Sequence, residues 1–221
     1  MTGTNYYKQE NAADDYAQHF KKSTELQDTT KRLMSDIRQY HPTIITKTDV
    51  LLDLGCGVGF SSQMVVKGFG ISSCVLVDSS NEMIGYVNKN SSELFAPDVQ
   101  IKTVLSDLSC DKLDLPAQSI HIAMSLEAMK FLDGMGNVFK QTSRVLVPNY
   151  MFYGNVYLHE QGTMKSFPYG DQLTGEVHSL RQFNSFVDSF GFDILKMKKN
   201  ARIVDTCEVP IIQYDFVLRK K

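Results

Sequence analysis

Three glycines spaced two apart, Gly55, Gly57 and Gly59, follow the run Val50-Leu51-Leu52-Asp53-Leu54. Glycine lacks a Cβ, so such a turn adopts unusual φ angles and lets a ligand lie on bare backbone. The spacing selects among ligands. A dinucleotide fingerprint is G-x-G-x-x-G. Here the third glycine comes one residue early, and Phe60 fills the slot that fingerprint needs. No lysine follows the glycines, so this is not a phosphate-gripping loop of the P-loop kind. Carboxylates recur after the next apolar runs: Asp78 after Ser73–Val77, Asp107 after Val99–Leu105, and Glu127 just past Ser125. A carboxylate about 20 residues beyond a glycine loop can accept hydrogen bonds from both hydroxyls of a ribose, which suits Asp78. Asp107 suits an exocyclic amine such as adenine N6, with the backbone N–H of Leu108 facing ring N1. Backbone groups of the loop can hold an amino-acid moiety. The acidic set suits a cationic or neutral nucleoside better than a pyrophosphate.

The elements that must carry these groups read as alternating strands and helices. Residues 5–40 are polar with a rough helical stripe through Tyr16, Phe20, Leu33 and Ile37, ended by His41-Pro42. Val50–Leu54 reads as a strand. Phe60–Lys67 reads as a helix closed by Gly68, and Ser73–Asp78 as a strand. A helix over Ser80–Asn90 has Ser80 as its N-cap. Strands follow at Val99–Leu105 and Ser119–Ser125, then helical pieces over 127–145, a strand at Tyr150–Leu158 and a helix at Ser179–Phe190 stopped by Gly191. Strands at Phe192–Met197 and Ile211–Leu218 end the series, joined by polar residues with no helical pattern. The alternation predicts an α/β fold with a doubly wound, mostly parallel sheet. The last two strands predict a hairpin at a sheet edge, with one antiparallel strand. In such sheets ligands sit at the carboxyl ends of the strands, where the acidic residues cluster.

Asp53-Leu-Gly-Cys-Gly-Val-Gly59, Asp78, Asp107-Leu108 and Ser125 together resemble the class I S-adenosylmethionine-dependent methyltransferases, of Rossmann-like fold and small-molecule type. The resemblance covers roughly 45–150, and 179–218 more loosely through Arg144-Val-Leu-Val-Pro148, Gly191-Phe192 and Asp215–Lys220. It implies seven strands in the order 3-2-1-4-5-7-6, with strand seven antiparallel, helices on both faces and an N-terminal helical lid. It implies S-adenosylmethionine as cofactor. Asp78 would bind the ribose diol, Asp107 and Leu108 the adenine, and Gly55 and Gly57 the methionine end; Asp53, Cys56, Ser79, Met83 and Ser125 complete the expected cofactor-binding set. Two positions depart from the family pattern. Its Pro-Gly-Gly turn before strand five is Pro148-Asn149-Tyr150, and the acidic residue opening strand four is His121.

Methyl transfer is an in-line displacement at a sulfonium methyl, so the protein must align the groups and exclude water. An N or O nucleophile must also shed a proton, which a His, Asp, Glu or Tyr can take. Candidates are His159, His178, Glu127 and Tyr16. Tyr6, Tyr7 and Tyr16 either contact the sulfonium or acceptor from the lid or simply pack a helix on the sheet. His159 and His178 read as acceptor contacts or as surface-loop histidines. Glu127 either holds a substrate ammonium or is a solvated first-turn residue of the next helix. Lys196–Lys199 reads as solvated.

The chain of 221 residues accommodates one domain, 1–221, with 1–42 as lid and 150–180 as a segment covering the acceptor. With 43% apolar and 22% charged residues it reads as a globular, cytoplasmic protein, and a net charge of −2 offers no bulk attraction to nucleic acid. No apolar run approaches the ~20 residues that span a bilayer. The scattered Cys56, Cys74, Cys110 and Cys207 read as reduced thiols, with no metal site. The expected partner is a small-molecule methyl acceptor. Oligomeric state, monomer or homodimer, is left open. Two further readings remain: a non-catalytic module that binds S-adenosylmethionine or supports a catalytic subunit, and a nicotinamide-dependent oxidoreductase, which the early third glycine opposes.

Overall fold

Val50–Leu54, strand β1, lies in the middle of a seven-stranded sheet, where Leu51, Leu52 and Leu54 are fully buried. A short, nearly continuous apolar run is what a strand covered on both faces requires. The computed structural model describes residues 11–129, 134–159, 167–169, 172–174, 178–204 and 211–221. Strands β2 (Ser73–Asp78), β3 (Gln100–Leu105), β4 (Ile120–Ser125) and β5 (Leu146–His159) run parallel to β1. Two short strands, β6 (Phe167–Tyr169) and β7 (Gln172–Thr174), form a separate antiparallel ribbon within the 150–180 segment. Strands β8 (Phe192–Val204) and β9 (Ile211–Lys220) complete the main sheet in the order β3-β2-β1-β4-β5-β9-β8, with β9 antiparallel to both neighbours. With β8 and β9 as its sixth and seventh strands, this is the order and direction expected from the sequence.

Two apolar layers sandwich the sheet. Helices α2 (Thr24–Tyr40), α3 (Phe60–Phe69) and α4 (Asn81–Leu94) pack Leu33, Ile37, Val65, Val66, Ile84 and Val87 against one face. Helices α5 (Met135–Val145) and α6 (Leu180–Ser189) pack Phe139, Phe183 and Val187 against the other. Helix α1 (Ala12–Lys22) instead sits over the carboxyl end of the sheet, its Ala13 and Ala17 on Val58 and Met83. The single stripe read over 5–40 is thus two helices within the described residues. Ser23, extended at φ −83° and ψ 103°, interrupts it and caps α2 by accepting from Leu26 N.

Local chemistry explains the other boundaries. Ser80 caps α4 at Met83 N, and Ser179 with Gln182 forms a reciprocal capping box on α6. Helix α3 ends at Gly70, in the left-handed region at φ +68°, and not at Gly68. Gly68 lies inside the helix against the tip of Met34 on α2, a flexible side chain that can shift. The helical pieces read over 127–145 reduce to α5 among the described residues. Both departures from the family pattern also find an account. Asn149 takes φ +69°, a left-handed conformation that asparagine tolerates, inside β5 where the register with β4 shifts between Leu146 and Met151. The His121 side chain accepts from Val50 N at 3.1 Å and stacks edge-on against Tyr150, tying the starts of β1, β4 and β5 together.

Candidate functional site

The glycine loop is held by hydrogen bonds to the adjacent strand. Gly55 N and Cys56 N both donate to Val77 O, at 2.8 and 2.9 Å. Gly57 N donates to Asp78 Oδ2 at 2.9 Å, and Ser80 N donates to Asp78 Oδ1 at 2.9 Å. The carboxylate at the end of β2 therefore clamps the loop after β1 to the start of α4. Two of the glycines are required by what lies against them. Gly55 has φ +81°, and a Cβ there would sit 2.2 Å from Ala128 Cβ. Gly57 has φ +53°, with the Tyr16 ring 3.2 Å from where a Cβ would be. The turn after β4 and the first helix thus both rest on bare loop backbone.

Buried charge surrounds the loop. Asp53 is buried at the end of β1 and accepts from Ser62 Oγ at 2.5 Å. Burial pushes its pKa up to about 7, with the Ser62 hydrogen bond opposing and the nearby Asp78 charge adding. Asp78 is also raised by burial, against the hydrogen bonds from Ser80, Gly57 and Ser79. Burial and the same two carboxylates push the Cys56 thiol well above its ordinary range, so it is an unreactive thiol. Tyr16, Phe20, Asp53, Gly55, Cys56 and Leu126 line a cavity of about 20 Å³ here, room for roughly one water.

The remaining expected cofactor residues are distributed around this clamp. Ser79 follows Asp78, and Met83 is buried beneath α1. Asp107 is exposed in a tight turn after β3, where its Oδ1 accepts from Ser109 N at 2.9 Å and Ser109 Oγ at 2.6 Å. Leu108 is buried, and its carbonyl accepts from Asn137 Nδ2. The Ser125 hydroxyl donates to Leu54 O at 2.9 Å, fastening the end of β4 to the end of β1.

The four candidates for chemistry fare differently. Tyr16 stands over the glycine loop, whereas Tyr6 and Tyr7 lie outside the described residues. Glu127 is neither solvated nor helical. It is buried at φ +57°, ahead of α5, because polar side chains from two strands receive it. Its Oε1 accepts from Asn155 Nδ2 at 2.6 Å and Gln213 Nε2 at 2.5 Å, and its Oε2 from Tyr157 OH at 3.1 Å. Its own N–H donates to Asn155 Oδ1 at 2.7 Å. The chain of contacts continues outward. Asn200 Nδ2 donates to Gln213 Oε1 and to Asp215 Oδ1, and Arg32 Nε on α2 donates to Asp215 Oδ2 at 3.2 Å.

His159 and His178 are buried, not surface-loop residues, because β5 runs on to His159 and pairs it with Ile211 of β9. His159 N donates to His178 O, joining β5 to the residue ahead of the α6 cap. The rings diverge. His178 packs edge-on against Phe186 of α6, on the α5–α6 face. Side chains alternate along a strand, so His159 shares the opposite face with Asn155 and Tyr157. Lys196 is likewise not a solvated end: it pairs with both oxygens of Asp36 on α2 at 2.6 Å. Sequence reasoning missed Ser62, Asn155, Tyr157 and Gln213. The signal for the last three was polar residues at a spacing of two inside strands that otherwise read as buried.

Among the described residues no helix is long and apolar enough to cross a membrane, and no cluster of three or more His, Cys, Asp or Glu could hold a metal ion. Residues 51–149 match the family model described as a methyltransferase domain. A 2-methyl-6-phytyl-1,4-hydroquinone methyltransferase of Synechocystis sp. is 30% identical over 98 residues, 44% of this chain. The chain spans only 29% of that relative's length. A solved structure assigned as a sarcosine dimethylglycine methyltransferase from Galdieria sulphuraria superposes with TM-score 0.71 at 16% identity, covering 89% of this chain and 86% of that one. Geranyl diphosphate C-methyltransferase from Streptomyces coelicolor A3(2), solved with Mg2+, geranyl diphosphate and S-adenosyl-L-homocysteine, gives TM-score 0.68 at 13% identity over 89% of this chain and 82% of that one. At these identities the structural likeness establishes the fold.

Proposed function

We propose that this chain, which carries a methyltransferase domain at 51–149 within the seven-stranded fold of the class I S-adenosylmethionine-dependent methyltransferases, moves a methyl group from S-adenosylmethionine to an N or O nucleophile of a small molecule. The observation that carries the reading is the Asp78 clamp. One carboxylate accepts from Gly57 N and Ser80 N, with Ser79 as a third backbone donor, and keeps acceptor capacity to offer a ribose hydroxyl. Gly55 and Gly57 keep side chains off the backbone that would carry the methionine end. Asp53, Asp78 and the tightly turned Asp107 suit a ligand that is cationic at sulfur and amine. When bound, the cofactor supplies an activated methyl on a good leaving group. The protein's own task is alignment and dryness. Asp78 fixes the loop, Ser125 fixes β4 to β1, and α1 shields the site from water.

Titration calorimetry with S-adenosylhomocysteine tests this. Wild type should bind, and Asp78→Ala should weaken binding by about 100-fold or more, since the charged acceptor for the ribose and for the loop is lost. Equal affinity in both proteins would move the cofactor site elsewhere.

A further inference from the structure

Imidazole is amphoteric, and a buried one ordinarily has both nitrogens hydrogen-bonded. His159 does not. It is fully buried, and neither Nδ1 nor Nε2 has a hydrogen-bond partner among the described residues. It is also the last residue of β5, at the carboxyl end of the sheet where this fold binds its ligands. Strand alternation sets it on the same face as Tyr157, about 7 Å further along the strand. Tyr157 in turn donates to Glu127, whose neighbour Leu126 lines the loop cavity. Hydrogen-bonded polar side chains thus link the turn beside the loop cavity to Tyr157, two residues before His159 on the same face of the strand. They are not a generic core: the opposite face of the same strand carries Phe152, Val156 and Leu158.

We propose that His159 is a catalytic residue that binds the nucleophilic N–H or O–H of the methyl acceptor and takes its proton. This rests on the proposed methyltransferase function and sharpens it. The acceptor is a protic amine, phenol or alcohol, not a carbon nucleophile. The acceptor's lone pair forms the new bond to the methyl carbon. The carbon–sulfur bonding pair returns to sulfur, and the N–H or O–H proton passes to the lone pair of one imidazole nitrogen. Solvent takes that proton when product leaves. Glu127, Asn155 and Gln213 act as positioning residues, since their mutual hydrogen bonds fix the Tyr157 side chain, which precedes His159 on the same face of β5. His178 is excluded from this role by its packing on Phe186, on the α6 side.

The test pairs stability with turnover. His159→Leu removes a buried polar ring that the folded protein leaves unpartnered, so thermal unfolding should move up by about 3–8 °C. A histidine held for structural reasons would give a fall instead. S-adenosylhomocysteine affinity should stay within threefold. A library of small amines, phenols and alcohols, offered with trideuteromethyl-labelled S-adenosylmethionine, reports turnover by product mass. Labelled product should fall by about 100-fold or more in His159→Leu and in His159→Gln. A lowered melting temperature in both variants, or product retained within fivefold in either, overturns the proposal. If wild type binds S-adenosylhomocysteine yet labels no library member, the acceptor class falls and the role of His159 with it. Labelled product in wild type and variants alike removes the role of His159 alone.

Discussion

Asp53→Asn isolates the most strongly shifted carboxyl at the site. In the folded chain burial lifts Asp53 from 3.8 to about 7. Its ionised form is therefore disfavoured by folding. Below the unfolded pKa both states hold the proton, and the group contributes no pH dependence. As pH rises from 3.8 toward 7, the unfolded chain releases a proton that the folded chain keeps, and stability falls. Above pH 7 both are ionised and the loss levels off. The full penalty is about 4 kcal/mol, of which about 2–3 kcal/mol accrues between pH 5 and pH 8. Asparagine keeps an oxygen to accept from Ser62 Oγ and has nothing to ionise. Urea unfolding of wild type and Asp53→Asn at pH 5 and pH 8 should show the variant's advantage growing by that amount. Part of the gain would come from Asp78, which no longer feels a neighbouring charge. Curves that run parallel, differing by less than about 0.5 kcal/mol between the two pH values, would refute the buried-carboxyl reasoning.

Gly55→Ala should lose about 2–4 kcal/mol and more than tenfold in S-adenosylhomocysteine affinity, because its Cβ meets Ala128 Cβ at 2.2 Å. Gly70→Ala is the control: equally left-handed but open, it should lose only about 1 kcal/mol, and equal losses in denaturant unfolding would discount the contact. Glu127→Gln replaces an all-acceptor group with one that turns an amide toward donors, so the melting temperature should fall by about 5–10 °C. An unchanged melting curve would mean that the network adds nothing to the fold.

The strand order and the loop clamp were legible because they rest on local signals. Apolar runs, three glycines and carboxylates at run ends are all short-range patterns. Glu127 was not legible, because its burial is decided by Asn155, Tyr157 and Gln213, residues 28 to 86 positions away. His159 was read as a loop residue because the strand expected at Tyr150–Leu158 stops one residue short of it, whereas β5 runs through His159. Period-two polarity usually marks a solvated face, whereas here α2 and a second set of strand side chains cover it. Gly68 carried the right cue for a helix end and the wrong role. The helix runs past it to Phe69, and Gly70, two residues on, takes the left-handed φ that ends it.

Strand β9 carries a consequence for how the chain is made. It lies between β5 and β8 in space, yet follows both in sequence. During synthesis β1 to β5 can pair as they emerge, with crossover helices between them. Strand β5 then offers an open edge, including Phe152, Val156 and Leu158, until residues 211–220 are made. Among the described residues β8 pairs only with β9, so it has no strand partner before that point. Until β9 is made, the nascent chain therefore holds a long, unpaired apolar edge for which misregistered pairing competes. Insertion of β9 between β5 and β8 closes this side of the sheet, and it also brings Gln213 to Glu127 and completes their buried hydrogen-bond network.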